Sequence, residues 1–286
     1  MYLQDEIPTA RGSDVSSQRL RIPFSVAVAC AVLRKGAKRM LGRSGVFSLV
    51  FRPLSGWTFR SRLPGGMEVA LRPFSNDPWI AREVALARVY ERRGSLPRGG
   101  TVIDVGAHIG IFTILASRAA GPDGRVLAFE PAPDNFELLL ENLRRNGCEN
   151  VEAQRRAVSS VKGARQFRVS RAGATGSNTL EVGDKSAGQP GESETIYVDC
   201  LTLDSLVQEG ALPSLDLLKV DVEGHELEVL RGGAGVLERL RPRIVVETNP
   251  RSPRRESVTS FLEARGYEVR GGDGYAWILF ADPAAP

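Results

Sequence analysis

Two acidic residues close consecutive strand-like runs. Asp104 stands just before the turn VGAHIG, and Glu130 ends RVLAFE. A carboxylate at the end of the second strand of such a pair can accept hydrogen bonds from both hydroxyls of a ribose, so Glu130 marks a nucleoside site. The turn itself suits a dinucleotide poorly. With the first glycine of a G-x-G-x-x-G fingerprint set on Gly106, His108 and Ile111 fall where the other two glycines should be, and both would crowd a pyrophosphate. Asp104 separates the readings further, because a carboxylate at the mouth of the site repels phosphate and attracts an ammonium or a sulfonium. S-adenosylmethionine carries both cations and no phosphate. It is the expected cofactor, and an NAD-dependent oxidoreductase is the competing reading.

A second set of reactive side chains lies in LLKVDVEGHE, which brings Lys219, Asp221, Glu223 and His225 to the end of a later strand. A sugar hydroxyl is a weak nucleophile, and a positioned base accelerates its reaction by roughly 10²–10⁴-fold. Asp221 and His225 are the candidate catalytic residues, Asp221 at the interface between cofactor and acceptor. His225 has an alternative role as the residue that opens the next helix. The helix amino terminus disfavours an imidazolium there, while the neighbouring carboxylates favour it. Glu247, ending RIVVE, points to the same edge, either to hold substrate or to pair with an arginine of 251–255. With no dense D-x-D or D-D-N cluster, no metal site is expected.

Positioning these groups requires a regular scaffold. IAREVALARVYERRG has helical spacing and stops at Gly94. From TVIDVGA onward, strands and helices alternate: helix IGIFTILASRAAG, strand RVLAFEP, helix PDNFELLLENLRRNG capped by Asp134, and strand NVEAQRRAVS. Residues 160–200 read as a β-rich insertion whose GATGSNTL stretch is either a surface for a sugar-like acceptor or a plain turn. Helix LTLDSLVQEG, strand SLDLLKVDVEG, a helix interrupted by Gly232-Gly233, strand RIVVETN and helix RESVTSFLEARG follow. YEVR and YAWILFA close the chain as a hairpin. The pattern predicts an α/β doubly wound sheet, mixed because of its terminal antiparallel strand.

The 286 residues, 42% hydrophobic and 25% charged, form a chain that can bury a full core without disulfides. Cys30, Cys148 and Cys200 are too scattered for a zinc or disulfide framework and point to a reducing cytoplasm. Residues 1–75 carry twelve Lys/Arg against four Asp/Glu, whereas the remainder is net acidic. We therefore expect a basic, partly disordered or helical extension over 1–75 and a catalytic domain over 76–286. FSVAVACAV followed by RKGAKR is too short to span a bilayer. It fits an amphipathic helix packed on the domain or touching a membrane surface peripherally. A non-catalytic scaffold whose arm binds membrane or RNA is a third reading. Nucleic acid is not an expected partner, because the arm lacks interleaved aromatic and basic residues.

The segments DVGAHIGIFT, FEPAPDNFELLLENL, AVS, TLDSL and LLKVDVEGHELEVLRG together resemble the FkbM family of S-adenosylmethionine-dependent methyltransferases, over roughly 95–250. The resemblance implies a class I, Rossmann-like methyltransferase fold and O-methylation of a sugar or natural-product hydroxyl. It also implies a methionine-binding turn of Asp104, Gly106, His108 and Gly110, with Thr113 on the adjoining helix. Glu130 would hold the ribose with Pro131 and Asn135 nearby, and Ala157 and Val158 would flank the adenine. The acidic residue that many class I enzymes place at the adenine is missing from R-R-A-V-S, so recognition there would fall to backbone groups.

Overall fold

A computed structural model of the chain describes residues 21–41, 57–170, 178–180, 193–272 and 274–284. Helix α1 (Phe24–Leu41) rests on the short helix α2 (Asp77–Ala81). Ala27 and Ala31 face inward while Val32 and Leu33 stay exposed. Among the described residues no helix is long and apolar enough to cross a membrane. Between the two helices, β1 (Phe59–Arg62) and β2 (Glu68–Leu71) form an antiparallel hairpin.

The alternating part then runs β3 (Thr101–Val105), α3 (Ile111–Ala120), β4 (Arg125–Phe129), α4 (Pro133–Arg145) and β5 (Val151–Gln154). Next come β6 (Ala157–Val158), β7 (Gly163–Ser170), β8 (Thr179–Leu180) and β9 (Ser193–Leu201), which form a separate small sheet in the order β6-β9-β7-β8. The chain returns through α5 (Leu203–Gln208), β10 (Leu217–Val220), α6 (Glu226–Arg231), α7 (Ala234–Leu240), β11 (Arg243–Glu247), α8 (Pro253–Glu263), β12 (Tyr267–Gly272) and β13 (Tyr275–Pro283). The main sheet has the order β12-β13-β11-β10-β3-β4-β5, parallel from β11 to β5 and antiparallel where β13 meets β11 and β12. This is the expected mixed, doubly wound sheet. Strand order reverses between β3 and β10, so the carboxyl ends of those two strands flank the crevice where such sheets bind ligands.

Four expectations change. The helix expected over 80–94 does not continue: α2 passes into a π-helical turn at Arg82–Leu86, Arg88 takes a left-handed φ of 51°, and Val89–Glu91 form a single 3-10 turn. Tertiary contact overrides the helical spacing here, because Tyr90 packs edge-on against Phe112 with ring centroids 5.3 Å apart. The strand expected over NVEAQRRAVS divides, and β6 leaves to pair with β9. Asp134 lies inside the first turn of α4 rather than capping it; the capping position is Ala132, whose methyl group makes no hydrogen bond. Finally, the extension expected over 1–75 is in part domain, since Leu63, Met67, Val69, Ala70 and Leu71 are buried in the same core as α3 and α4. The expected boundary fell just after a short β-hairpin whose apolar face the domain covers. The GATGSNTL expectation lies mostly outside the described residues.

Asn142 on α4 secures that hairpin. Its side chain accepts from the Ala70 amide at 2.7 Å and donates to the carbonyls of Ala70 (3.1 Å) and Ile109 (2.8 Å), all buried. Asn142→Leu strands these backbone groups, each costing about 1–3 kcal/mol when buried without a partner. We expect chemical denaturation to show a loss of about 3 kcal/mol or more; a loss below about 1 kcal/mol would mean the hairpin is not held this way.

Candidate active site

The turn after β3 is shaped by its neighbours. Gly106 has φ +82°, and a Cβ there would lie 1.8 Å from the Asp221 carbonyl oxygen, so β3 and the segment after β10 approach as closely as they do only with glycine. Gly110 has φ +88°, and its Cβ would meet Leu139 at 2.6 Å. That glycine permits the packing of α3 on α4. His108 between them also adopts a left-handed φ of 54°, and its amide donates to Glu130 Oε2 at 2.8 Å.

Glu130 forms the wall opposite the turn. Its Oε1 accepts from the Ala132 amide at 2.9 Å and from Asn135 Nδ2 at 3.4 Å. Burial pushes this carboxyl up to about 7 despite those donors. Behind it, Arg72 donates to Asn135 Oδ1 at 2.7 Å and to Asp77 Oδ2 at 2.8 Å, and Asp77 lies 3.5 Å from His108 Nε2. Burial would raise the Asp77 carboxyl, but Arg72 and His108 hold it down at about 2. Burial, with Arg72 and Lys219 adding to it, lowers His108 to about 4, so the imidazole is neutral near pH 7.

Asp104 is not at the mouth. It is fully buried, accepts from Thr113 Oγ1 at 2.6 Å and pairs with Lys219 Nζ at 3.0 Å. Lys219 also donates to the Gly106 carbonyl at 2.8 Å and lies 3.7 Å from Asp221 Oδ2. Desolvation opposes its charge, yet Asp104 and Asp221 together raise its pKa. The expectation that Asp104 faces an incoming cation is thus corrected: its charge is spent on a lysine beneath the turn.

Beyond that lysine lies an acidic edge. Tyr90 donates to Glu247 Oε2 at 2.9 Å and lies 3.5 Å from Asp221 Oδ2. Burial first, then Asp221, pushes Glu247 up to about 9. Burial, then Asp221 and Glu226, pushes Glu223 up to about 8. β10 ends at Val220, and the following loop turns sharply at Glu223 and Gly224, with φ +52° and +98°. Residues 221 and 223 therefore share no strand parity. His225 is buried, hydrogen-bonds Ser159 Oγ through Nε2 at 2.9 Å, and is lowered to about 4 by burial. Among the described residues no group of three or more His, Cys, Asp or Glu is arranged to hold a metal.

These parts line one cleft. Of the expected cofactor residues, Gly106, His108, Glu130, Pro131, Asn135, Ala157 and Val158 line it, while Asp104, Gly110 and Thr113 lie behind the wall. Asp221 and His225 line it as well. Sequence reasoning missed Tyr90, Asn76, Glu83 and Arg156, which also line the cleft. Tyr90 was hidden by the helical spacing around it, and no local signal sets Arg156, paired with Asp199 at 2.8 Å, apart from other arginines.

The model of the methyltransferase FkbM domain matches residues 104–269. The chain belongs to the FkbM methyltransferase family. It is 31% identical over 234 residues to the 31-O-demethyl-FK506 methyltransferase FkbM of Streptomyces tacrolimicus, covering 73% of this chain and 88% of that protein. It is 30% identical over 215 residues to methyltransferase sdnD of Sordaria araneosa, covering 67% and 82%. With the hexuronic acid methyltransferase AglP of Haloferax volcanii it shares 35% over 135 residues, 47% of this chain and 50% of that one. A crystal structure of an FkbM methyltransferase from Methylobacillus flagellatus aligns at TM-score 0.48 and 16% identity, covering 90% of this chain and 60% of that one. With the family shown by its model and relatives, the doubly wound sheet is a class I methyltransferase fold, and the cofactor of this FkbM-family enzyme is S-adenosylmethionine. The donor set fits it: Glu130 and Asn135 are polar groups for a ribose, and the cleft holds more carboxylates than cations.

Lys219→Ala leaves Asp104 charged and buried without its partner. Breaking a buried pair in this way costs about 3–5 kcal/mol, and thermal and urea unfolding should show that loss. Wild-type stability would mean that water or another cation replaces the lysine.

Proposed function

We propose that this methyltransferase transfers a methyl group to a hydroxyl oxygen of a sugar-like or natural-product small molecule, in the cytoplasm. The observation that carries the reading is a cleft with the buried carboxylate Glu130 on one side and two carboxylates, Asp221 and Glu247, next to the Tyr90 hydroxyl on the other. Relatives support it in kind, one named for 31-O-demethyl-FK506 and one for a hexuronic acid. When bound, S-adenosylmethionine supplies an activated methyl group that a nucleophilic oxygen can accept without prior activation. The protein's part is to orient that oxygen and take its proton. Glu247 Oε2, held by Tyr90, is the better placed acceptor. His225 spends Nε2 on Ser159 and serves to hold the loop after β10. Ala157 and Val158, both buried in the wall, are the proposed apolar support for the adenine.

Two measurements test this without knowing the acceptor. Glu130 accepts ribose hydroxyls as a carboxylate, and its folded-state pKa near 7 lies above the usual carboxyl value. Cofactor affinity should therefore fall as pH drops below about 7, by up to roughly tenfold per unit. The dependence should flatten, and affinity at pH 8 should drop, in Glu130→Gln. Calorimetry with S-adenosylhomocysteine and, as a control, NAD reads this directly; pH-independent binding, or preference for NAD, sinks the assignment.

The second measurement follows the acidic edge. Glu223 and Glu247 hold protons near neutral pH because burial and neighbouring acids disfavour their charge. A ligand that brings positive charge favours their ionised forms and lowers their pKa values. Binding of S-adenosylmethionine at pH 8 should release protons, seen as a dependence of binding enthalpy on buffer ionisation enthalpy. Glu247→Gln should release fewer, and so should wild-type protein binding S-adenosylhomocysteine, which lacks the sulfonium. Equal proton release in all three would place the cofactor's charge away from this edge.

A further inference from the structure

A second cavity opens beside the cofactor cleft and shares Asp221, Glu223, Glu247 and Trp277 with it. An acceptor seated there would reach the proton-accepting cluster from the side away from Glu130. The far wall carries a different chemistry. Arg254 and Arg255 lie on the first turn of α8, whose cap Ser252 and neighbours Thr248 and Asn249 also line the cavity. Each guanidinium makes one hydrogen bond to a neutral oxygen: Arg254 Nη1 to the Gly224 carbonyl and Arg255 Nη1 to Thr248 Oγ1, both at 2.8 Å. Among the described residues neither forms an ion pair with a carboxylate.

The acids of this cavity are engaged elsewhere. Glu226 accepts from the Gly224 amide at 2.6 Å, Glu247 accepts from Tyr90, and Asp221 faces Tyr90 and Lys219. Glu226 feels the charge of Arg254 without pairing with it, while Asp221 and Glu247 turn toward the sheet edge and the arginines lie on α8. Desolvation alone lowers the Arg255 pKa, with no carboxylate offsetting it. A guanidinium offers five donors in a planar fork that matches a carboxylate or phosphate, and most of that capacity is unspent here. The amino terminus of α8 adds positive potential on the same side.

We infer that this cavity receives the acceptor and that Arg254 and Arg255 bind an anionic group on it, a carboxylate or a phosphate ester. The inference rests on the methyltransferase reading above and adds the class of acceptor. Balance requires that the acceptor oxygen form the new O–C bond, that the C–S bond break with its electron pair left on sulfur, and that the hydroxyl proton pass to Glu247, ionised by the proton release that accompanies cofactor binding. The arginines take no part in that step. They fix which hydroxyl lies at the shared wall.

The test uses the full-length protein saturated with S-adenosylhomocysteine, titrated with D-glucuronate, D-glucose 6-phosphate and D-glucose and followed by ligand-observed NMR. At least one anionic sugar should bind about tenfold or more tighter than glucose, as a charge-assisted hydrogen bond implies. Which one does so separates carboxylate from phosphate. Arg255→Gln and Arg254→Gln should each remove most of that advantage, Arg255→Lys should restore part of it, and salt should weaken it. S-adenosylhomocysteine affinity should be unchanged in all three variants, since neither arginine lines the cofactor cleft. Equal binding of the three sugars, or an advantage that survives both glutamine variants, shows the arginines to be only braces for the loops at Gly224 and Thr248 and overturns the inference. If the wild-type protein fails to bind S-adenosylhomocysteine at all, the methyltransferase site itself is what has failed.

Discussion

Lys219 is a cation held almost out of water at the centre of the fold, and much of the site depends on how its charge is met. It rises from β10 to the neighbouring β3, where Asp104 pairs with it at 3.0 Å and the Gly106 carbonyl accepts from it at 2.8 Å. Those two strands flank the reversal in strand order, so the pair fixes the turn against the very strand that carries the acidic edge. A buried pair of this kind adds little net stability compared with apolar packing, but it tolerates loss of either partner badly. Its value here is positional. The turn backbone, the close approach of Gly106 to the Asp221 carbonyl and the placement of Asp221 all refer to one ammonium group.

Charge balance around that centre explains the character of the cleft. Both histidines are neutral, and Glu130, Glu223 and Glu247 all have pKa values raised by burial. Asp104 does not supply the attraction for a cation that its position in the sequence implies, because Lys219 offsets it. Around that pair lies a ring of carboxylates, Glu223 and Glu247, whose charged forms burial and Asp221 disfavour. In the second cavity Asp221 and Glu247 turn toward Tyr90 and Lys219, while the arginines of α8 bond neutral oxygens of Gly224 and Thr248.

Closure of the cleft comes from two segments that break the alternating pattern. The π-helical turn and 3-10 turn after α2 bring Tyr90 to Glu247 across the sheet edge, and π-helical turns of this kind are common at functional sites. The small sheet contributes Phe167, Asn178 and Leu180 to the opposite wall. Neither contribution follows local preference. Tyr90 lies in a run with good helical spacing, and β6 leaves what looks like one strand to pair with β9, because cross-strand pairing and core burial outweigh weak local propensities.

The order of strands and helices, the position of the glycine turn and the acids at strand ends were legible in the sequence, because period-2 and period-3.6 patterns and turn residues are local signals. So was the family, through motifs in order from DVGAHIG to VDVEGHE. Which side chains reach the cavity was not. Asp104, Gly110 and Thr113 belong to the motif yet lie behind the wall, since a buried lysine and the packing of α3 on α4 claim them. Tyr90 and the hairpin held by Asn142 acquire their roles only from residues some seventy to more than a hundred and fifty positions away. Sequence fixes which groups are available along the chain; the pairing of buried charges, a property of three-dimensional neighbours, decides which of them remain free to act.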